Sequence, residues 1–233
     1  MNALVLAAGK GERLKPLTDR VPKAMVSLNG RPLLFHVLDR LVEAGCDEAH
    51  IVVGYKQELI RETIGNAHKS LLVFYVEQTE QLGTGHAIQQ AEGTVSGDFL
   101  CVNADVLVAP SLYQEVWGTP GFDVVIAAHR SAEPWKYGCL RVEGDEVVDV
   151  VEKPPKGREP GNLVGLGVYR LTPKIFEALK KVGKSPRGEF EVTDAFKLLA
   201  QDGRVGFVEY QGPYYDIGSL EGLKEAEKAL KEK

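Results

Sequence analysis

An alternation of short apolar runs with segments of helical periodicity fills the first 105 residues, and it restricts the fold more than any other feature of the chain. The apolar runs cover residues 3–8, 50–55, 71–76 and 98–102, and the helical segments cover residues 31–45, 56–64 and 84–91. Strands with few polar positions are typical of a parallel sheet that helices bury on both faces. The pattern therefore predicts an α/β fold, in which ligands bind beyond the carboxyl ends of the strands.

The pattern changes after about residue 120, where segments of alternating polarity appear. Strands are predicted at residues 123–128, 163–171 and 205–210, a β-hairpin within 138–152, helices near 173–182, 191–202 and 219–231, and a loop at 154–161. The sequence contains no internal repeat and no long linker. We expect a single domain over residues 1–233, with a mixed, mainly parallel sheet and helices on both of its faces.

The charge and composition of the chain narrow its partners. Its 233 residues carry a net charge of −5, whereas general nucleic-acid binding needs broad basic surfaces. No run approaches the ~20 apolar residues of a membrane span, and the run at 3–8 lacks the basic region that precedes the apolar part of a signal peptide. The widely spaced Cys46, Cys101 and Cys139 predict small buried residues in a reducing compartment. We expect a cytoplasmic protein that binds neither nucleic acid nor membrane.

Basic residues are concentrated in a glycine-containing loop after the first strand. Gly9 and Gly11 stand in this loop, and Arg13 and Lys23 follow in a segment that also contains prolines. A strand that leads into a glycine-rich turn directs backbone N–H groups and cations at an anion, usually a phosphate. The glycine spacing matches neither the dinucleotide fingerprint nor the P-loop. On these residues alone, a tight turn without a ligand therefore stays an alternative.

Further segments extend this pattern along the chain. They are residues 6–23 (LAAGKGERLKPLTDRVPK), 81–87 (QLGTGHA), 103–105 (NAD), 137–138 (YG), 152–154 (EKP), 188–194 (GEFEVTD) and 216–219 (DIGS). Together they resemble the motifs of the sugar-1-phosphate nucleotidylyltransferases, which join a nucleoside triphosphate to a sugar 1-phosphate. The resemblance implies a Rossmann-like, glycosyltransferase-A-like fold. It implies a nucleotide-binding half at about 1–120, a sugar-binding half at about 121–233 and no C-terminal β-helix domain.

The resemblance also implies roles for residues at the nucleotide end. Arg13 and Lys23 are implied to be catalytic, through contacts with the phosphates. The implied nucleotide-binding residues are Leu6, Ala7, Ala8, Gly9, Gly11, Gln78, Gly83 and Thr84. Asp105 and Asp216 are implied ligands of Mg²⁺, which commonly binds one or two carboxylates together with phosphate oxygens and water. We expect His86 only to pack or to lie at the surface.

The implied sugar-binding residues are Gly138, Glu152, Lys153 and Gly165. A carboxylate such as that of Glu152 suits a pair of hydroxyl donors. Many family members that handle N-acetylhexosamines have Asn where this chain has Gly165, which weakens the case for N-acetylglucosamine 1-phosphate. Ala104 replaces the glycine that usually precedes the first metal aspartate of the family. For the polar residues of the 188–194 segment, helix capping and sugar binding stay open.

The implied reaction transfers a nucleotidyl group to glucose 1-phosphate or N-acetylglucosamine 1-phosphate and releases pyrophosphate, with UTP as the preferred donor. Alternatives within the family are a dTTP:glucose-1-phosphate thymidylyltransferase and a GTP:mannose-1-phosphate guanylyltransferase. Alternatives of another class are a non-catalytic regulatory subunit that binds a sugar nucleotide and a glycosyltransferase. Family members are commonly oligomeric, so a homo-oligomer is a further expectation.

Overall fold

The computed structural model describes residues 1–231. Its strands are β1 (Asn2–Leu6), β2 (Ser27–Leu28), β3 (Arg31–Pro32), β4 (Glu48–Val53), β5 (Ala67–His68), β6 (Leu71–Glu77), β7 (Phe99–Asn103), β8 (Val106–Leu107), β9 (Val124–Arg130), β10 (Gly138–Glu143), β11 (Glu146–Glu152), β12 (Leu163–Leu171), β13 (Val205–Glu209) and β14 (Tyr215–Asp216). Its α-helices are α1 (Leu33–Ala44), α2 (Gln57–Ile64), α3 (Thr84–Gln89), α4 (Pro110–Gly118), α5 (Lys174–Leu179), α6 (Val192–Ala200) and α7 (Leu220–Lys231). Within these residues ten strands form one mixed sheet, in the order β10-β11-β13-β9-β12-β7-β1-β4-β6-β5.

The first part of the chain supplies the parallel region of the sheet. Strand β1 pairs in parallel with β4 on one side and β7 on the other, and β4 pairs in parallel with β6. Leu6 is opposite both Val52 and Asn103, so the carboxyl ends of the three strands lie at one level. The loops that follow these ends therefore meet at the same edge of the sheet, as expected for a ligand site.

The second part of the chain adds mostly antiparallel pairs. Strand β12 lies between β7 and β9 and runs antiparallel to both, whereas β9 and β13 pair in parallel. Strands β10 and β11 form the predicted hairpin. Because β12 is hydrogen-bonded to β7 of the first part and to β9 of the second, the sheet continues without a break from one part into the other. The assignment of a nucleotide half and a sugar half stays a prediction.

Apolar residues cover both faces of the sheet. Side chains of α1, α2, α4 and α7 join the cluster on one face, and side chains of α3, α5 and α6 join the cluster on the other. On the second face the ring of Phe99 stacks on Phe176, with centroids 5.9 Å apart, and Tyr169 meets Phe196 edge to face at 5.0 Å. The predicted Rossmann-like sheet with helices on both faces is confirmed.

The remaining differences from the sequence prediction are local. Helix α4 was not predicted, although Pro110 suits its first turn and Leu112, Tyr113 and Val116 are buried. The two-residue strands β2, β3, β5, β8 and β14 were also missed, because such short segments carry no periodic signal. The three cysteines are free and buried, as predicted. Within residues 1–231 no helix has the length and apolar character needed to cross a membrane.

Candidate active site

Two adjoining cavities open at the carboxyl ends of the central strands. The first cavity has a volume of about 290 Å³, and its lining includes Leu6, Ala7, Ala8, Gly9, Lys23, Gln78, Gly83, Thr84 and Asp105 from the predicted set. The second cavity has a volume of about 560 Å³, and its lining includes Arg13, Thr84, Asp105, Gly138, Glu152, Lys153, Gly165 and Asp216. Thr84, Asn103, Asp105 and Glu189 line both cavities, so two ligands bound there would meet at these side chains.

The first cavity begins at the loop that leaves β1. Backbone bonds fix the start of this loop, since Ala7 N–H donates to the carbonyl of Val52 at 2.9 Å and Ala104 N–H donates to that of Leu6 at 3.1 Å. Of the predicted residues, Gly11 lines neither cavity. A Cβ atom at Gly11 would lie 2.9 Å from Cβ of Lys23. The absence of a side chain there therefore lets the loop pack directly against Lys23.

The predicted base-reading turn forms the opposite wall of the first cavity. Gln78 is buried, and its side-chain Nε2 donates to the carbonyl of Gly83 at 3.2 Å. Gly83 has a φ of 109°, in the region that favours glycine, and a Cβ there would lie 2.6 Å from the carbonyl oxygen of Phe190. The turn is thus held from inside by Gln78 and from outside by the backbone of Phe190.

The segment before α6 fastens this turn to the second cavity. Phe190 N–H donates to the carbonyl of Leu82, and Gly85 N–H donates to the carbonyl of Phe190, both at 2.8 Å. Val192 N–H, in the first turn of α6, donates to the Thr84 hydroxyl at 3.2 Å. The capping group of α6 is therefore Thr84, from a distant part of the chain.

The roles left open for the 188–194 segment divide among its polar residues. Glu189 lines both cavities and Thr193 lines the second, whereas Asp194 lines neither. The Thr193 hydroxyl lies 3.4 Å from Oε2 of Glu152. The segment therefore joins the base-reading turn to the predicted sugar-binding carboxylate.

The two predicted metal ligands stand side by side on a two-stranded ribbon. Strands β8 and β14 pair antiparallel with Asp216 opposite Val106, and Ile217 N–H donates to the carbonyl of Asp105 at 2.8 Å. This pairing brings together two carboxylates from distant positions in the chain. The two carboxylates therefore come together only when β8 and β14 have paired.

The environment of the β8–β14 ribbon shifts the pKa values of Asp105 and Asp216 in opposite directions. Burial raises the pKa of Asp105, but the charge and hydrogen bond of the Lys23 ammonium outweigh it, so the pKa lies below its usual value. Burial and the charge of Asp105 raise the pKa of Asp216, and the charges of Lys23 and Arg13 only partly oppose this. Asp105 is therefore held as a carboxylate, while Asp216 carries an uncompensated cost of ionisation.

This arrangement fits a divalent cation. Two carboxylates that repel each other gain from a cation between them, and Mg²⁺ usually takes one or two protein carboxylates and completes its shell with phosphate oxygens and water. Within residues 1–231 there is no cluster of three or more His, Cys, Asp or Glu side chains placed to hold a metal alone. Asp105 and Asp216 would thus hold a cation that a phosphate ligand also coordinates.

Arg13 reaches the same place from the first loop. Its side chain lines the second cavity, and a Cβ at Gly218 would lie 2.8 Å from both Nη2 of Arg13 and Oδ1 of Asp216. The guanidinium and the carboxylate thus share the space left open by Gly218. Arg13 lines the second cavity and Lys23 lines the first, so each cavity has one of these two cations.

The predicted sugar-binding residues all line the second cavity. Gly138 and Glu152 are opposite each other in the β10–β11 hairpin, and a Cβ at Gly138 would lie 3.0 Å from Oε2 of Glu152. Lys153 follows Glu152, with its ammonium 3.5 Å from the carboxylate. A Cβ at Gly165 would make an ordinary 3.5 Å contact with Ile126. The absence of a side chain at Gly165 is therefore not a demand of packing.

Several lining residues were not identified from the sequence. Arg187 lies 3.4 Å from Oε1 of Glu152, and Tyr137, Tyr214 and Asn103 also line the second cavity. Asn103 could have been suspected, because it belongs to the same three-residue motif as Asp105. Tyr137 likewise belongs to the 137–138 motif. Arg187 and Tyr214 give no periodic or motif signal, since their positions depend on how distant loops pack.

Comparison with known proteins assigns the family. The model of the nucleotidyl transferase family matches residues 2–233. The chain therefore belongs to the nucleotidyl transferase family. The family predicted from the sequence motifs is confirmed.

Individual relatives match the whole chain. It is 38% identical over 239 residues to the UTP–glucose-1-phosphate uridylyltransferase AglF of Haloferax volcanii, with 100% of this chain and 97% of that protein covered. It is 33% identical over 234 residues to the bifunctional protein GlmU of Methanocaldococcus jannaschii, with 100% of this chain but 55% of that protein covered. The chain thus spans about half the length of this bifunctional relative.

Solved structures share the fold along almost the entire chain. A UDP-glucose pyrophosphorylase complexed with UDP-glucose superimposes with a TM-score of 0.88 at 31% identity, covering 99% of this chain and 98% of that one. A putative glucose-1-phosphate thymidylyltransferase from Bacillus anthracis superimposes with a TM-score of 0.87 at 21% identity, covering 98% and 94%. The second likeness concerns the fold alone.

Proposed function

We propose that this protein transfers the uridylyl group of UTP to the phosphate of a hexose 1-phosphate, with glucose 1-phosphate as the principal acceptor. One observation carries the proposal. The cavity lined by the base-reading turn and the cavity lined by Glu152 meet at Asp105, beside Lys23, Arg13 and Asp216. A nucleotide and a sugar placed in these cavities would bring their phosphates together at the cationic and metal-binding groups.

The choice of UTP and glucose 1-phosphate rests on two further observations. AglF carries the name UTP–glucose-1-phosphate uridylyltransferase, and it matches this chain over nearly its full length. Gly165, which lines the second cavity, provides no side-chain amide at the position where many N-acetylhexosamine-handling family members have Asn. Glucose 1-phosphate is therefore favoured over N-acetylglucosamine 1-phosphate.

The proposed chemistry is an in-line displacement at phosphorus. A phosphate oxygen of the sugar 1-phosphate attacks the α-phosphorus of UTP, the bond to the β-phosphate oxygen breaks, and pyrophosphate leaves. A phosphate monoester has a second pKa near ~6, so the nucleophile is already ionised at neutral pH. The protein needs no general base, and its task is to orient the two substrates and to stabilise their charge.

The basic residues would share this task. Lys23 lines the first cavity and would contact the α-phosphate or the sugar phosphate. Arg13, which lines the second cavity together with Asp105 and Asp216, would stabilise charge on the leaving pyrophosphate. Mg²⁺ bound by Asp105 and Asp216 would add positive charge beside the phosphate oxygens. Lys153 lines the second cavity and would contact the phosphate of the sugar.

A non-catalytic regulatory subunit is disfavoured by the same geometry. Such a protein is expected to have lost a basic residue or a metal carboxylate. Here Arg13, Lys23, Asp105 and Asp216 are all present and all line the cavities. Self-association and a cytoplasmic location stay predictions.

The decisive experiment measures pyrophosphate release from UTP, dTTP and GTP, each combined with glucose, N-acetylglucosamine and mannose 1-phosphates, with and without Mg²⁺. We expect the highest kcat/KM for UTP with glucose 1-phosphate and no turnover without a divalent cation. A preference for dTTP or GTP would select one of the alternative nucleotidylyltransferases. Tight binding of a sugar nucleotide without turnover of any pair would support a regulatory subunit.

A further inference from the structure

The side chain of His86, in the first turns of α3, is joined to the predicted base-reading residue. Nδ1 of His86 lies 3.0 Å from Nε2 of Gln78, and Nε2 of His86 lies 3.2 Å from the amide of Gln90. Gln78 is only 3% exposed, so its amide has little freedom to find other partners. The histidine therefore contributes to the wall behind the first cavity.

The orientation of the Gln78 amide follows from its two neighbours. The carbonyl of Gly83 can only accept a hydrogen bond, so the amide group 3.2 Å from it must be the NH₂. The same nitrogen faces Nδ1 of His86, which must then be an acceptor without a proton. The proton of the neutral ring therefore sits on Nε2. The Gln90 amide nitrogen lies 3.2 Å from this atom and 3.4 Å from the His86 carbonyl, so the half-buried Gln90 side chain must turn its oxygen towards Nε2 to accept that proton.

This arrangement leaves the oxygen of the Gln78 amide for the ligand. Both hydrogens of its NH₂ are directed at Gly83 and His86, and Oε1 accepts no hydrogen bond from any residue between 1 and 231. Gln78 lines the first cavity, so the free acceptor is offered there. An acceptor matches the N3–H donor of uracil, whereas N3 of cytosine is itself an acceptor and would face Oε1 unfavourably.

We propose that His86 is a positioning residue that selects the base: by accepting from Gln78 Nε2 it holds Oε1 towards the first cavity and favours uracil over cytosine. Without His86, only the hydrogen bond to Gly83 opposes a flip of the Gln78 amide that would turn its NH₂ towards a base. This inference rests on the proposed function, because it assumes that the first cavity binds the nucleotide. It assigns the choice of base to a residue that does not touch the base.

The test compares three substitutions of His86 by the ratio of kcat/KM for UTP to that for CTP, with glucose 1-phosphate as acceptor. In His86→Asn the side-chain oxygen stands near the position of Nδ1, and in His86→Gln the longer amide reaches towards the position of Nε2. His86→Leu offers no acceptor. The ratio is taken within one preparation, so a loss of folded protein lowers both activities and cancels.

We expect His86→Leu and His86→Gln to reduce the UTP/CTP ratio by about tenfold, the scale of one hydrogen bond, and His86→Asn to stay within about threefold of the wild type. Gln90→Leu is the matched control, because it removes only the partner of Nε2, and its ratio should not change. An unchanged ratio in His86→Leu, or equal losses in His86→Asn and His86→Gln, would overturn the proposal.

Calorimetric binding of UMP and CMP to the same variants separates this inference from the proposed function. If UTP and glucose 1-phosphate give no nucleotide sugar, the proposed function fails, while the UMP/CMP affinity ratio still reports on His86. We expect that ratio to follow the same order among the variants. A wild type that binds UMP no more tightly than CMP would count against the role of His86 directly.

Discussion

The first and second cavities meet at Asp105, but different groups line them. Small side chains and backbone dominate the first, where Ala7, Ala8 and Gly9 stand at the end of β1. Long polar side chains dominate the second, whose lining includes Glu152, Arg187 and Tyr214. A surface made of backbone changes only when the loops move, whereas a surface made of side chains changes with each substitution. Apart from the side chains of Gln78 and His86, the first cavity should therefore tolerate single substitutions better than the second.

The largest expected effect comes from the residue that the two cavities share. Asp105→Ala should lower kcat by at least ~100-fold, the scale of losing one group that stabilises the transition state, for every nucleotide and sugar pair. Steady-state pyrophosphate release measures it. The matched control is Asp98→Ala, just before the opposite end of β7, where Asp98 pairs with Arg170 at 3.5 Å. A loss confined to the KM of one substrate would show that Asp105 serves only one cavity.

The next largest effect is expected on KM: a substitution in each cavity should raise KM for a different substrate. Gly138→Ala would place a Cβ 2.9 Å from Cγ2 of Thr193 and 3.0 Å from the carboxylate of Glu152, so KM for the sugar 1-phosphate should rise. Gly83→Ala would place a Cβ 2.6 Å from the carbonyl oxygen of Phe190, so KM for UTP should rise instead. Each rise should be about tenfold to a hundredfold, from an overpacking cost of ~1–3 kcal/mol.

Gly183→Ala is the control for this pair, because a Cβ at Gly183 would meet nothing within 4 Å. Its two KM values should match the wild type. If Gly138→Ala raises KM for UTP as much as KM for the sugar 1-phosphate, the two cavities do not bind the two substrates separately.

A smaller effect tests how adaptable the second cavity is. Gly165→Asn should fit, since a Cβ there makes an ordinary 3.5 Å contact with Ile126. The added amide can hydrogen-bond an N-acetyl group, so the kcat/KM ratio of N-acetylglucosamine 1-phosphate to glucose 1-phosphate should rise by about tenfold. Gly165→Ala supplies the Cβ without the amide and should leave the ratio unchanged. Equal shifts in both variants would attribute the effect to volume rather than to hydrogen bonding.

The smallest effect concerns stability and distinguishes the two aspartates. Burial and Asp105 raise the pKa of Asp216, so Asp216→Asn should raise the Tm of the metal-free protein at pH 7 by about 2–4 °C, the shift of ~1 kcal/mol in a chain of this size. Turnover should fall at the same time. Asp105→Asn should instead lower the Tm, because Lys23 loses its partner.

The pH dependence of that gain has a defined sign. Between the ordinary pKa of an aspartate, ~3.9, and the raised pKa of Asp216, the native protein binds more protons than the unfolded chain, so its stability falls as the pH rises through this window. Below the window Asp216 is protonated in both states. The Tm advantage of Asp216→Asn over the wild type should therefore shrink towards pH 4. Scanning calorimetry of both proteins across this pH range measures it. A Tm difference that stays constant with pH would show that the charge of Asp216 does not affect stability.

Much of the fold could be predicted from the sequence because its signals are local. Helices α1 and α6 and strands β1 and β12 follow from periodicity and apolar runs, and their observed bounds lie close to the predicted ones. Helix α4 was missed, since its buried positions, Leu112, Tyr113 and Val116, are too few to establish a period. The insertion of β12 between β7 and β9 could not be predicted, because strand order depends on contacts between distant segments.

In the candidate site, too, residues with a local sequence signal were predicted, and residues placed by contacts between distant segments were not. The motifs indicated which residues to bring together, and the structure places all of the predicted residues except Gly11 at one of the two cavities. Their catalytic and binding roles stay predictions. His86 was expected only to pack or to be exposed, but it bonds to Gln78. Arg187 was not considered, because a charged loop residue has no signal until its neighbour Glu152 is known.

The β8–β14 ribbon also determines when, during translation, the paired-aspartate site can form. Asp216 is translated long after Asp105, and β12, which fills the middle of the sheet, is translated long after β7. A growing chain that has released its first 120 residues holds Asp105 and Lys23 but not the second carboxylate. Such a chain cannot yet assemble the paired-aspartate site. Catalysis would thus be withheld until the ribosome has released the segment that carries Asp216, because the order of translation delays assembly of the site.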